Sequence, residues 1–199
     1  MSNAFLPETV VAKFAHDMAS PLGGVVMALD MLEGTINDHA GQESLKLMQD
    51  SVLRMRALIG VWRHIFLEGS SLEETDVGFK CIFEEYFKAV QAQVVLHVPV
   101  EGAKRWQMKL LGILFLALHD RLHLTSQSAV HFERNSLKWT GSFGRGDFFD
   151  RLSPDKQGDL SPARTALPQY FNAFAQRHGI QVHLSQQGTH FTCQMSKGI

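Results

Sequence analysis

Between Leu45 and Phe66 the apolar residues fall at Leu45, Met48, Val52, Met55, Ile59, Trp62 and Phe66, in steps that alternate strictly between three and four. A repeat averaging about 3.5 residues keeps a seam on one side of a helix only when helices supercoil left-handedly, as in coiled coils and four-helix bundles. The segment before it carries a matching stripe at Val10, Phe14, Met18, Leu22, Val25, Leu29 and Leu32, the spacing of an amphipathic helix. Pro21 lies inside that stripe, which continues on both sides, so it is expected to kink the helix rather than end it. Gly34 to Gly41 reads as a turn, giving an antiparallel hairpin. Two helices cannot enclose a bundle core, so the simplest completion is a second hairpin from another copy, a homodimeric four-helix bundle.

Gly69-Ser70-Ser71 breaks the pattern, and beyond it helix and strand alternate. Helices are expected over Asp76 to Val90, Ala103 to Leu122 and Pro162 to His178, the last ended by Gly179. Strands are expected at Gln93 to Val98, Ala129 to Arg134, Leu137 to Phe143, Ile180 to Ser185 and His190 to Met195, the last two flanking a turn at Gly188. The fold class is therefore α+β: a helical hairpin over residues 1–69, then an α/β sandwich over residues 70–199 with helices on one face of a sheet.

Charge narrows the function. Lys and Arg number 19 against 20 Asp and Glu, a net charge of −1. Residues 1–70 hold five basic against eight acidic side chains. Neither balance suits a nucleic-acid or anionic-lipid surface, which draws on clustered Lys and Arg. Cys81 and Cys193 form no CxxC spacing, which leaves reduced, buried thiols as the expectation. The N-terminus lacks a signal-peptide pattern, and the longest apolar run, Ile113 to Leu118, is too short to cross a bilayer. A cytoplasmic protein is expected.

His16 is out of phase with the apolar stripe. At about 100° per residue it lies roughly 200° from Phe14 and from Met18, so its imidazole is expected to face solvent. Asp17 beside it is placed to take the Nδ1–H, fixing the tautomer and leaving Nε2 as the nucleophile. Lys13, one turn before, is a candidate to balance phosphate charge. Ser20 and Pro21 follow one turn after, and the small residues Ala12, Ala15, Ala19 and Gly23 on or near the same flank let a partner approach. The plainer alternative is a surface histidine without a role.

The stretch His16-Asp17-Met18-Ala19-Ser20-Pro21-Leu22 resembles the phosphoacceptor box of histidine kinase dimerisation domains, and more closely that of ChpT-type histidine phosphotransferases. The run Ala28-Leu29-Asp30-Met31-Leu32-Glu33, the stretch Leu160-Ser161-Pro162-Ala163-Arg164, Tyr170-Phe171 and His178-Gly179-Ile180 also look like that family. The resemblance implies a histidine phosphotransferase of a two-component phosphorelay, with His16 as phosphoacceptor and Asp17 orienting its ring. It implies receiver domains of a hybrid histidine kinase and of response regulators as partners, with magnesium supplied by the receiver. It further implies that residues 70–199 resemble a kinase ATPase domain.

That domain lacks the motifs of a nucleotide site. Where the resemblance places the magnesium-holding asparagines, this chain reads Gly112-Ile113-Leu114-Phe115-Leu116-Ala117, with no hard oxygen donor. Where kinases carry Asp-x-Gly-x-Gly, it reads Trp139-Thr140-Gly141-Ser142-Phe143, and the glycines at 141, 144 and 146 match no phosphate-cradling loop. No cofactor and no ATP binding are expected. His119 and His123, four apart on an expected helix, echo a zinc motif without a third ligand, so no metal is expected. Three other readings stay open: a divergent histidine kinase, a receiver phosphatase in which Ser20 orients a water, and a non-catalytic dimeric module that docks a receiver.

Overall fold

The computed structural model describes residues 6–32, 39–66, 78–89, 95–97, 104–118, 122–123, 129–133, 136–140, 142–143, 162–187 and 190–197. Two long helices open the chain, α1 (Leu6–Leu32) and α2 (His39–Phe66). Helix α1 runs unbroken through Pro21. Helix α2 begins earlier than the glycines suggest: Gly41 is helical and buried rather than part of the turn. The Gly69-Ser70-Ser71 linker and the Gly188 turn lie outside the described residues.

Next come α3 (Phe79–Ala89), β1 (Val95–His97), α4 (Arg105–Leu118), β2 (Leu122–His123), β3 (Ala129–Glu133), β4 (Ser136–Thr140) and β5 (Ser142–Phe143). The chain closes with α5 (Pro162–Arg177), β6 (Ile180–Gln187) and β7 (His190–Lys197). Five strands form one mixed sheet in the order β1-β3-β4-β7-β6, parallel between β1 and β3 and antiparallel elsewhere. A parallel pair needs a crossover, and α4 lies in the connection between β1 and β3. Two sequence expectations change. Leu122 lies in β2 instead of extending α4, and the single strand expected over Leu137 to Phe143 is two, with β5 leaving to pair with β2.

Local chemistry sets the helix ends. Gln107, three residues into α4, sends its Oε1 back to accept from the Lys104 backbone N–H at 2.7 Å, half of a capping box. Helix α5 stops at Gly179, whose φ of 63° lies in the left-handed region that glycine enters without a Cβ penalty. Along β7, Phe191, Cys193 and Met195 are buried while Gln194 and Ser196 face water, the period-2 pattern of a sheet packed on one side.

One apolar cluster joins the hairpin's base to the sheet's helices. Ala57, Leu58, Val61, Trp62 and Ile65 of α2 pack with Phe79, Phe83, Tyr86 and Phe87 of α3, most of α4, Phe171 of α5 and the inner face of β7. Helix α4 presses so close that a Cβ on Gly112 would stand 2.8 Å from Ile65 Cγ1. An aromatic chain ties α5 to the same base: Phe14 meets Trp62 edge-on at 5.3 Å, Trp62 stacks on Phe66 at 5.0 Å, and Phe66 touches Tyr170 at 4.9 Å.

Candidate functional site

Part of the apolar stripe of α1 faces inward, with Val10, Phe14 and Met18 packed against the core, but the most buried positions of the helix lie on a second stripe. Its buried residues are Lys13, Asp17, Pro21 and Ala28, joined by half-buried Gly24, where a Cβ would come within 2.5 Å of Ser51 Oγ on α2. The steps 13, 17, 21, 24 and 28 have helical spacing too, so this second stripe is legible in the sequence once polarity is ignored. Small residues let the helices approach closely, and Pro21 sits in this seam rather than at the surface.

The apolar stripe is thereby turned partly outward. Leu22 is 53% exposed, Leu29 51%, Leu45 40% and Val52 49%, although all four belong to the two stripes. Val26 beside them is 50% exposed. By their spacing Leu22, Val26 and Leu29 share one flank of α1, an exposed apolar row of the kind that marks an interaction surface.

His16 points out on a different flank. Its side chain is 72% exposed, and Ala12, Ala15, Ala19, Ser20 and Gly23 are exposed with it. A Cβ on Gly23 would meet nothing within 4 Å, so nothing within the described residues crowds that approach. Because Phe14 meets Trp62 and Gly24 meets Ser51 across the hairpin, the imidazole is mounted on the well-packed part of the helix pair. Among the described residues, one backbone segment thus brings together the exposed ring, the Ser20 hydroxyl and a row of small side chains.

Asp17 and Lys13 sit beneath that surface. The Asp17 side chain is 3% exposed and the Lys13 side chain 6%, and the Lys13 Nζ donates to Asp17 Oδ1 at 2.6 Å. The same Oδ1 stands 3.6 Å from His16 Nδ1, too long for a hydrogen bond and close enough for electrostatic attraction. Lys13 thus does not offer its charge to solvent beside the ring, as its spacing suggested. Sequence reasoning paired Asp17 with His16 and missed Lys13 as its partner. The i,i+4 spacing of Lys13 and Asp17 is the signal for that pair.

Among the described residues, no titratable group other than Asp17 pairs with His16. No group of three or more His, Cys, Asp or Glu side chains able to hold a metal occurs among the described residues, and His123 lies on a strand rather than on a helix one turn past His119. Both cysteines are free; Cys193 is buried and its thiol is pushed up to about 12 by that burial, whereas Cys81 is exposed, contrary to the expectation for it. The Gly112 to Ala117 segment, where the resemblance implied magnesium-holding asparagines, lies in the core, with Ile113, Leu114 and Leu116 at 0% and Phe115 at 4% exposure. Buried hydrocarbon offers no oxygen ligand, so these four side chains do not fit a magnesium ion. The glycines at 141, 144 and 146 lie outside the described residues.

No protein-family model matches the sequence, and no curated protein matches it. Shape is more telling: a solved bacterial phosphotransferase superimposes with a TM-score of 0.77, covering 98% of this chain and 98% of that one at 18% identity. The chain has that phosphotransferase's fold. The histidine kinase domain of an Erythrobacter litoralis blue-light activated histidine kinase aligns at a TM-score of 0.39 and 8% identity, over 89% of this chain and 94% of that one. The Acinetobacter baumannii histidine kinase AdeS aligns at 0.35 and 15%, over 90% and 95%. The fold assignment rests on the phosphotransferase alone. No helix among the described residues is long and apolar enough to cross a membrane.

Proposed function

We propose that this chain is a histidine phosphotransferase of a two-component phosphorelay, acting as a cytoplasmic homodimer. The observation that carries the proposal is His16, an imidazole 72% exposed on a rigid helix with a buried carboxylate 3.6 Å from its Nδ1. The phosphotransferase fold supports it.

Phosphoryl transfer asks mainly for positioning and charge stabilisation. With the proton on Nδ1, facing Asp17, the Nε2 lone pair faces the incoming receiver. Nε2 attacks the phosphorus of an aspartyl phosphate in line; the N–P bond forms as the P–O bond breaks, and the electron pair stays on the receiver carboxylate. The reverse step on a second receiver returns the ring to its starting state. Magnesium belongs to the receiver in both steps, and no step runs through ATP. A hybrid kinase receiver as donor and response regulators as acceptors complete the relay.

The exposed face of Leu22, Val26, Leu29, Leu45 and Val52 supports the dimer, since a second hairpin completes the four-helix bundle that a 3.5-residue repeat demands. In this arrangement His16 stays outside the bundle core, about a third of a turn around α1 from Leu22 and about a quarter from Val26.

The decisive experiment offers a labelled phospho-receiver to the wild-type protein and to His16→Gln. Transfer of label to wild type and none to the variant is expected; label persisting on His16→Gln sinks the proposal. Incubation with labelled ATP is expected to give no self-phosphorylation, which separates this reading from a divergent kinase.

A further inference from the structure

Lys13 and Asp17 form a buried ion pair on a surface helix, directly under the one imidazole the phosphotransfer reading uses. Burying two charges is costly unless each finds a partner, and removing one partner leaves the other stranded. Asp17 Oδ1 is 2.6 Å from Lys13 Nζ, while Oδ2 is buried with no hydrogen-bond partner among the described residues. A carboxylate on an outer helix would ordinarily turn to water. This one stays inside, and the countercharge that lets it do so is Lys13.

The consequence falls on His16. The oxygen that Lys13 grips is the same Oδ1 that stands 3.6 Å from His16 Nδ1. An exposed aspartate next in sequence to a histidine would sample several rotamers and orient the ring only part of the time. A carboxylate locked beneath the helix surface presents one oxygen to one nitrogen.

We propose, resting on the phosphotransfer reading, that Lys13 is a positioning residue that acts on His16 through Asp17. By anchoring the carboxylate it holds the proton on Nδ1 and the lone pair on Nε2. When Nε2 takes the phosphoryl group the ring becomes a cation that keeps its Nδ1 proton, and the fixed Oδ1 stabilises it; no proton passes to Lys13. When the N–P bond breaks, the electron pair returns to Nε2 and the ring leaves neutral, still protonated on Nδ1. Lys13 never touches the phosphate.

The test uses the full-length protein in two readouts. The first is the ring-nitrogen NMR spectrum of 15N-labelled protein, with His16 assigned by its absence in His16→Gln. Wild type and Lys13→Arg are expected to hold the Nδ1–H tautomer, and Lys13→Met to shift toward Nε2–H. A folded Lys13→Met protein with the wild-type tautomer overturns the proposal. The second is the rate of label transfer from a phospho-receiver, expected to fall on the order of ten-fold in Lys13→Met, as losses of groups that orient a reacting side chain do, and to recover in Lys13→Arg.

If Lys13→Met does not fold, Asp17→Asn and the double variant Lys13→Met/Asp17→Asn, which bury no lone carboxylate, decide the matter by direct comparison of their transfer rates. A lysine that works through Asp17 adds nothing once Asp17 is neutral, so the two should transfer at the same rate within about two-fold. A further ten-fold loss in the double variant means that Lys13 meets the phosphate directly, and overturns the proposal. The tautomer readout needs no phosphate, so it fails separately from the phosphotransfer reading, which fails only if His16→Gln is still labelled.

Discussion

At the base of the hairpin Val61, Trp62 and Ile65 are at most 5% exposed, packed among α3, α4 and α5, whereas in its outer half Leu22, Val26 and Leu29 stand at least 50% exposed on the same two-helix unit. The base has found its partners within the chain. The outer half has spent its inward face on Gly24, Ala28 and Ser51 and left large apolar side chains for something outside. His16 is mounted between these regimes, on backbone held by the aromatic base and within reach of whatever meets the open flank. The phosphoacceptor role proposed for His16 would need that combination, since a loosely held ring loses the geometry on which transfer depends.

The strongest way to break the contrast is in the base. Phe83 is fully buried, 4.3 Å from Phe79 and 4.8 Å from Phe115 by ring centroids. Phe83→Ala should cost about 3–5 kcal/mol in urea unfolding, the usual range for an aromatic cavity. A loss under about 1 kcal/mol would show that the cluster is not a packed core.

In the outer half the corresponding change acts on assembly. Leu22→Asp puts a charge on the open apolar face, and if a second copy covers that face, dimer affinity should fall by at least about 2 kcal/mol, roughly 30-fold. Sedimentation across a dilution series measures it. An unchanged association constant would place the dimer contact elsewhere.

How far these regions were readable in the sequence differs for a physical reason. The two helices, the sheet strands and the outward turn of His16 follow from periodicity, which depends only on spacing. The most buried face of α1 does not, because hydrophobicity does not mark it: a lysine, an aspartate, a proline and a glycine line it. The 3.5-residue stripe identifies the surface that faces another helix; it does not say whether that helix belongs to the same chain. Leu122 lies on a strand and not in the expected helix because an apolar run can serve as either, and its pairing with Phe143 is a long-range contact.

Adjacent glycines sharpen the contrast within a single turn. Gly24 faces Ser51, and a methyl group there would stand 2.5 Å from the Ser51 oxygen and 3.4 Å from its Cβ. Gly23 faces open space. Gly24→Ala should destabilise by about 1 kcal/mol, crowding outweighing the gain in helix propensity, and Ser51→Ala should relieve it by removing the closer atom. Gly23→Ala should instead stabilise by about 0.5–1 kcal/mol, on propensity alone. Equal effects at the two positions would mean that the seam is not as close as the geometry makes it.

The smallest expected effect lies farthest from the open flank, at the end of α5. His178 packs against Phe174 at 4.5 Å, and its pKa is lowered by burial first, then by the charges of Arg177, Lys197 and Lys109. The β6–β7 register sets Lys197 opposite Ile180, two residues past His178, which explains why a strand end contributes to a helix end. An unfolded chain takes up this proton near the ordinary histidine value of about 6.5 while the folded chain resists it, so the unfolded state binds more protons as pH falls through that value. The contribution of this group to stability is therefore fully present above about pH 7 and lost on acidification. Comparing wild type with His178→Gln in thermal melts between about pH 7.5 and about pH 5.5, roughly one unit above and below that value, isolates it. The variant should lose less stability over that range than wild type does; parallel melting curves would show that the cationic surroundings of His178 are screened by solvent and that this end of the sheet is electrostatically neutral toward folding.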